Sequence, residues 1–101
     1  MSYAPILEQR RIEIASICRR YKVAELAVFG SAAGANFSSE SDVDFLVTFA
    51  PGAQIGLLEF GELQAELEAT LDRKVDLVSK SGLKPLVRET VLRQAEPVYA
   101  G

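Results

Sequence analysis

The segment Ser41-Asp42-Val43-Asp44-Phe45-Leu46-Val47 restricts the fold of this 101-residue chain more than any other. Acidic and apolar residues alternate at its start, and β-branched and aromatic residues continue to Phe49, a pattern typical of a strand over 42–49. Successive strand side chains point to opposite faces, so Asp42 and Asp44 share one face, with α-carbons about 6.5–7 Å apart. The intervening apolar residues point into a core: Val43, Phe45 and Val47. The sheet therefore has one packed face and one acidic face.

Helical and extended patterns alternate along the rest of the chain. Further strands are predicted over 24–29 and 74–78, with a short edge strand at Val98-Tyr99. Helices are predicted from 5 to about 20, over 56–71 and over 85–95, with a short helix over 31–35. The order α-β-(α)-β-α-β-α-(β) predicts an α/β (α+β) fold, a small mixed sheet covered by helices.

Length and composition limit the organisation and the chemistry. One domain spanning residues 1–101 is expected, since single domains usually run from about 50 to 250 residues. The chain contains no histidine, which excludes catalytic triads with imidazole and the usual zinc sites built on histidine. The single cysteine, Cys18, lies on the apolar stripe of the first helix and is interpreted as a core residue. The chemistry must come from carboxylates, hydroxyls, amines or backbone groups.

Charge and hydropathy indicate the partners that the chain avoids. The net charge is −3, which disfavours direct binding to nucleic acid or to an anionic membrane. No uncharged run reaches the roughly 20 residues of a membrane span, and no secretory signal begins the chain. We therefore expect a cytoplasmic protein without a membrane partner. The apolar residues of the last helix are expected to pack in the ordinary way: Leu86, Val87, Val91 and Leu92.

Two further motifs add chemistry to the acidic face. Gly30-Ser31 ends a strand and enters a short helix, where free amide N–H groups and a hydroxyl make an anion site. Asp76 lies within the apolar strand 74–78, and if that strand neighbours the first acidic strand, Asp42, Asp44 and Asp76 converge. Carboxylate oxygens favour Mg²⁺ or Mn²⁺, and such a trio beside a phosphate site suits phosphoryl chemistry with two metal ions.

Each motif alone has a plainer interpretation. Gly-Ser is usually only a turn, Asp-x-Asp is more often a solvated or capping pair, and Asp76 could be an edge-strand acid facing water. Their occurrence in this order along one short chain favours the functional interpretation.

Together, Phe29-Gly30-Ser31, the segment 41–47 and Val75-Asp76-Leu77-Val78 resemble the minimal nucleotidyltransferases of the DNA-polymerase-beta-like superfamily. The resemblance covers nearly the whole chain. It implies that Gly30 and Ser31 hold the phosphates of a nucleotide and that Asp42 and Asp44 bind the metal ions. It also implies that Asp76 completes the metal site and helps to deprotonate the acceptor hydroxyl, so that Asp42, Asp44 and Asp76 are the catalytic residues.

The resemblance further implies an activity and a partner. Members of this family often act as the antitoxin of a pair with a helical HEPN toxin and attach AMP from ATP to that protein. Where the family commonly has Arg-Gly after Gly-Ser-x-Ala, this chain has Gly34-Ala35, so a positive charge near the triphosphate is missing. The alternative is therefore a catalytically weak or inactive antitoxin, or an assembly subunit, that works by binding. A small-molecule acceptor is disfavoured by the short chain, and a homo-oligomer stays open.

Overall fold

The computed structural model describes residues 5–30 and 42–101. Its helices are α1 (Pro5–Gln9), α2 (Arg11–Arg20), α3 (Leu57–Leu71) and α4 (Pro85–Gln94), with a 3₁₀ turn at Lys80–Gly82. Its strands are β1 (Val23–Phe29), β2 (Val43–Phe49), β3 (Val75–Ser79) and β4 (Glu96–Ala100). Within these residues the strands form a four-stranded sheet in the order β3-β2-β1-β4. The α/β (α+β) prediction of a mixed sheet with helices is confirmed, and the helix predicted over 31–35 lies outside the described residues.

The sheet is mixed because it contains both antiparallel and parallel strand pairs. β1 is antiparallel to both β2 and β4, whereas β2 and β3 run parallel and are joined through α3. Parallel strands start at the same end of the sheet, so the chain must cross back over the sheet between them, here through α3. The acidic strands predicted from the sequence are therefore neighbours that begin at the same edge of the sheet.

The main core lies between one face of the sheet and the helices α1, α2 and α3. Its α3 contribution is a stripe at four-residue spacing, Leu63, Leu67 and Leu71, all at most 3% exposed. The predicted inward residues of β2 are fully or almost fully buried: Val43, Phe45 and Val47. Beside this core the rings of Phe49 and Phe60 pack edge to face, with centroids 6.3 Å apart. The amphipathic patterns thus identified the inward residues of these elements correctly.

The predicted first helix is in fact two helices. Arg10 separates α1 from α2 with φ −105° and ψ 17°. The helical hydrogen bonds nevertheless continue across the junction, from the Arg10 N–H to the Ile6 carbonyl (3.1 Å) and from the Ile14 N–H to the Arg10 carbonyl (2.9 Å). The apolar periodicity persists through this local distortion, which is why the sequence predicted one continuous helix.

The expected packing of the last helix is wrong. No residue of α4 is buried, and Leu86 is 95% exposed. The flanking strands β3 and β4 lie at opposite edges of the sheet, so α4 serves as the connection between them. Its amphipathic pattern marks residues that would pack if another element covered them. Among the described residues, no helix has the length and apolar character needed to cross a bilayer.

Candidate active site

Asp44 and Asp76 are directly opposed across the parallel pair of strands. The β2–β3 register aligns Val43 with Val75, Asp44 with Asp76 and Phe45 with Leu77. The apolar partners on either side are buried, whereas Asp76 is exposed and Asp44 is half-buried. Because strand side chains alternate between faces, both acids lie on the face away from the core. Asp42 immediately precedes β2 and is exposed.

The electrostatics of Asp44 reflect this crowding of acids. Burial raises the pKa of the Asp44 carboxyl above its ordinary value, and the negative charges of Asp76 and Asp42 raise it further. Desolvation and like charges both disfavour the ionised carboxylate, whereas a cation would favour it. The three predicted acids therefore act on one another, and their combined field suits a positively charged ligand.

The oxygen donors fit a hard divalent cation in type but are not yet gathered around one point. Within residues 5–30 and 42–101, no three Asp, Glu, His or Cys side chains are grouped so that they could hold an ion as they stand. Carboxylates at strand starts can turn about their side-chain bonds, so joint binding calls for rotation of the side chains and leaves the strands in place. The donor type and the electrostatics fit a hard divalent cation.

Gly30 brings the end of β1 against Asp44. Phe29 pairs with Asp44 across the antiparallel strands, and Gly30 follows with φ +69°. A β-carbon at Gly30 would overlap Oδ2 of Asp44. The positive φ favours glycine at this position, and any β-carbon here would make the Asp44 carboxylate turn away. The predicted phosphate residue Ser31 lies outside the described residues, as does Gly34.

A contact that the sequence did not predict lies beside Asp76. The backbone N–H of Val75 donates to Oε2 of Glu68, at 2.9 Å, across the junction between α3 and β3. Glu68 follows Leu67 on the α3 stripe, and its spacing alone suggests a solvated position. The available signal was an acidic residue one turn before the end of the helix that leads into an acidic strand.

Cys18, by contrast, takes no part in this site. Its side chain is fully buried in the core, and burial raises the pKa of its thiol to about 12 although Arg19 lowers it. A protonated, inaccessible thiol is a poor nucleophile. The interpretation of Cys18 as a core residue is confirmed.

Comparison with known proteins identifies the family. The profile of the nucleotidyltransferase domain matches residues 11–97. The protein adenylyltransferase MntA of Thermococcus cleftensis is 47% identical over 75 residues, 74% of either chain. A solved structure provisionally named a minimal nucleotidyltransferase is 39% identical, with a TM-score of 0.75 over 96% of this chain and 99% of the other.

A more distant neighbour shares the fold. It is a chain in the complex of a tri-AMPylated Shewanella oneidensis HEPN toxin with its MNT antitoxin, 23% identical, with a TM-score of 0.68 over 94% of this chain and 73% of that chain. At this identity the likeness concerns the fold alone. The profile match and the MntA relative together carry the assignment: this chain belongs to the nucleotidyltransferase domain family and is a nucleotidyltransferase related to the protein adenylyltransferases.

Proposed function

We propose that this protein transfers AMP from ATP to a hydroxyl group of a helical HEPN-type partner and thereby acts as the antitoxin of a pair. The observation that carries the proposal is the pairing of Asp44 with Asp76 across the parallel strands, where burial and the charges of Asp76 and Asp42 raise the pKa of the half-buried Asp44 carboxyl. Such a cluster of acids is costly without a cation and useful with one. The partner and the nucleotide are inferred from the MntA relative and from the AMPylated HEPN toxin of the structural neighbour.

The reaction is a substitution at the α-phosphorus of ATP. The oxygen of the acceptor hydroxyl forms a bond to that phosphorus, the bond to the pyrophosphate oxygen breaks, and pyrophosphate leaves. Asp76 is exposed, and we propose that it helps to remove the hydroxyl proton. Gly30 and Ser31 would hold the triphosphate through backbone N–H groups and a hydroxyl.

Asp42, Asp44 and Asp76 would hold Mg²⁺ or Mn²⁺. When bound, the metal ion supplies positive charge that activates the attacking oxygen and offsets charge on the leaving phosphate. The protein's own contribution is to fix Asp44 and Asp76 opposite each other on two strands whose other faces are packed in the core. Little reorganisation of the backbone is then needed when the substrate arrives.

The test is transfer of label from ATP to the partner. The protein, labelled ATP, Mg²⁺ and a purified HEPN-type partner should give a labelled partner, and Asp44→Asn should reduce labelling by at least roughly 100-fold, in line with loss of a charge-stabilising group. Glu62→Gln on the exposed face of α3 is the matched control, because it removes a carboxylate without touching the acids. If the Asp44→Asn variant labels the partner as well as the wild-type protein does, the proposed catalytic site is wrong.

The alternative is an antitoxin that only binds, and the feature that favours it is Gly34 in place of the usual arginine. In that case the partner would form a complex but carry no label. Gly34→Arg then provides a gain-of-function test. If the triphosphate lies nearby, the added charge should tighten ATP binding by up to about 1.5–3 kcal/mol, as measured by calorimetry. Unchanged ATP affinity in a folded Gly34→Arg protein would mean either that the charge is already supplied elsewhere or that phosphates do not bind here. Only the second result, seen as no ATP binding by either protein, favours the binding-only antitoxin.

A further inference from the structure

Among residues 5–30 and 42–101, β3 is an edge strand, and its first residue has a strand partner on one side only. In the order β3-β2-β1-β4 of these described strands, β2 is the neighbour of β3. The N–H of Val43 donates to the carbonyl of Lys74 at 2.9 Å. Backbone groups of successive residues alternate in direction along a parallel strand, so the Val75 N–H points away from β2. Val75 is 1% exposed, so without another acceptor this N–H at the start of the acidic strand would be a buried donor left unpaired.

Glu68 supplies that acceptor from α3. Its Oε2 receives the Val75 N–H at 2.9 Å, in a part-buried contact. Its backbone carbonyl also accepts the N–H of Asp72, which ends the helix in the left-handed conformation, and that of Arg73 at 3.3 Å. One residue therefore holds both the end of α3 and the start of β3. A hydrogen bond to a charged acceptor is stronger than one between neutral groups.

We propose that Glu68 is a positioning residue for Asp76, which follows Val75 directly in the chain. By holding the backbone of Val75, the Glu68 carboxylate fixes the position of Asp76 along β3, directly opposite Asp44. Glu68 takes the place of the neighbouring strand that β3 lacks. The inference rests on the proposed function, because Asp76 matters for transfer only if it belongs to the catalytic acids.

The first readout is independent of activity. In Glu68→Met the acceptor is lost at nearly constant side-chain length, and amide exchange of Val75, followed by NMR, should become roughly 10- to 100-fold faster, as expected for loss of a hydrogen bond to a charged group. Glu68→Gln retains a carbonyl oxygen and should restore most of the protection. Glu62→Met, on the exposed part of the same helix, should leave Val75 exchange unchanged. Unchanged Val75 exchange in a folded Glu68→Met protein would overturn the proposal.

The second readout asks whether Glu68 acts through Asp76. Glu68→Met should lower kcat for transfer with little change in the KM for ATP, and Glu68→Gln should recover it. The loss should be absent when Asp76 is already Asn, since a positioning residue has nothing left to position. An equal loss from Glu68→Met in both backgrounds would contradict the positioning role. Full transfer by Asp76→Asn alone would instead overturn the proposed catalytic site, with the Val75 exchange still reporting whether Glu68 holds the strand.

Discussion

Gly30 faces the side chain of Asp44 so closely that an added β-carbon would overlap Oδ2 of Asp44 and lie 3.4 Å from its Cγ. This contact joins the end of β1 to the start of β2 at the acidic face. Any side chain at Gly30 must therefore displace the carboxylate of Asp44. This is the carboxyl whose pKa is raised by the charges of Asp76 and Asp42. The glycine of the predicted anion site is also a shape requirement of the predicted metal site.

The Gly30 contact predicts different outcomes for two similar substitutions. Gly30 and Gly52 both have positive φ, +69° and +83°, but no atom of the described residues lies within 4 Å of a β-carbon at Gly52. Gly52→Ala should cost about 1 kcal/mol of unfolding free energy, from backbone strain alone, and leave transfer intact. Gly30→Ala should cost more and also impair divalent binding. Chemical denaturation and calorimetry with Mn²⁺ measure the two effects, and equal behaviour of both variants would contradict the packing argument.

The raised pKa of Asp44 predicts an unusual pH dependence without divalent ions. Its folded carboxyl holds its proton to a higher pH than in the unfolded chain. The ionised form therefore destabilises the fold, and this penalty grows as the pH rises from the ordinary aspartate pKa through the raised one. Asp44→Asn should be more stable than wild type above this window, and the difference should shrink as the pH falls below it. Thermal melts of both proteins between about pH 3 and 8 measure this difference, and a difference that does not change with pH would show that burial and repulsion do not act on Asp44.

The burial of Cys18 predicts an inert thiol. With no exposed side-chain surface and a pKa of about 12, it should react with a disulfide reagent only when the protein unfolds. The labelling rate under native conditions should follow the unfolding equilibrium as denaturant is added, whereas the fully denatured chain should titrate one thiol at once. Rapid labelling of the folded protein would contradict the core position.

The contacts of Glu66 are expected to stabilise the fold to an extent that depends on salt concentration and pH. Its carboxylate accepts from Arg20, with Nη1 at 3.0 Å, and from the Tyr21 hydroxyl, and these contacts lower the pKa of Glu66. A lowered carboxyl pKa gives stability that is present above the unfolded value and is lost as the pH falls through the folded one. Glu66→Gln should lower the melting temperature at pH 7, less so at high salt. Glu62→Gln on the same helix serves as the control, and an equal loss in both variants would argue against the contact.

The local patterns of the sequence contained most of the fold. The strand predicted over 74–78 is Val75–Ser79, and the helix over 56–71 is Leu57–Leu71, because alternation and four-residue spacing directly reflect which side is buried. The exposure of Leu86 was not predictable in this way. An apolar stripe specifies a face, but whether another element covers that face depends on the route of the chain.

The candidate site was predictable to the level of strands. Alternation placed Asp44 on the open face, but the sequence left it as a condition that the two acidic strands are neighbours. The structure pairs them in parallel, with Asp44 opposite Asp76. The roles of Gly30 and Glu68 depend on distances between elements. Which residue lies beside Gly30, and which N–H group donates to Glu68, are decided only when the elements pack together. The periodicity of the sequence therefore contains no signal for either contact.

The connection β2-α3-β3 gives the molecule an order of assembly. Asp44, Glu68 and Asp76 all lie within this continuous unit, whereas β4 pairs Tyr99 with Leu26, near the other end of the chain. Contacts close in sequence form with a smaller loss of chain entropy than distant ones. We therefore expect the acidic strand pair to form early in folding and β4 to dock late, so that damage to the last strand would slow completion of the sheet more than formation of the acidic pair.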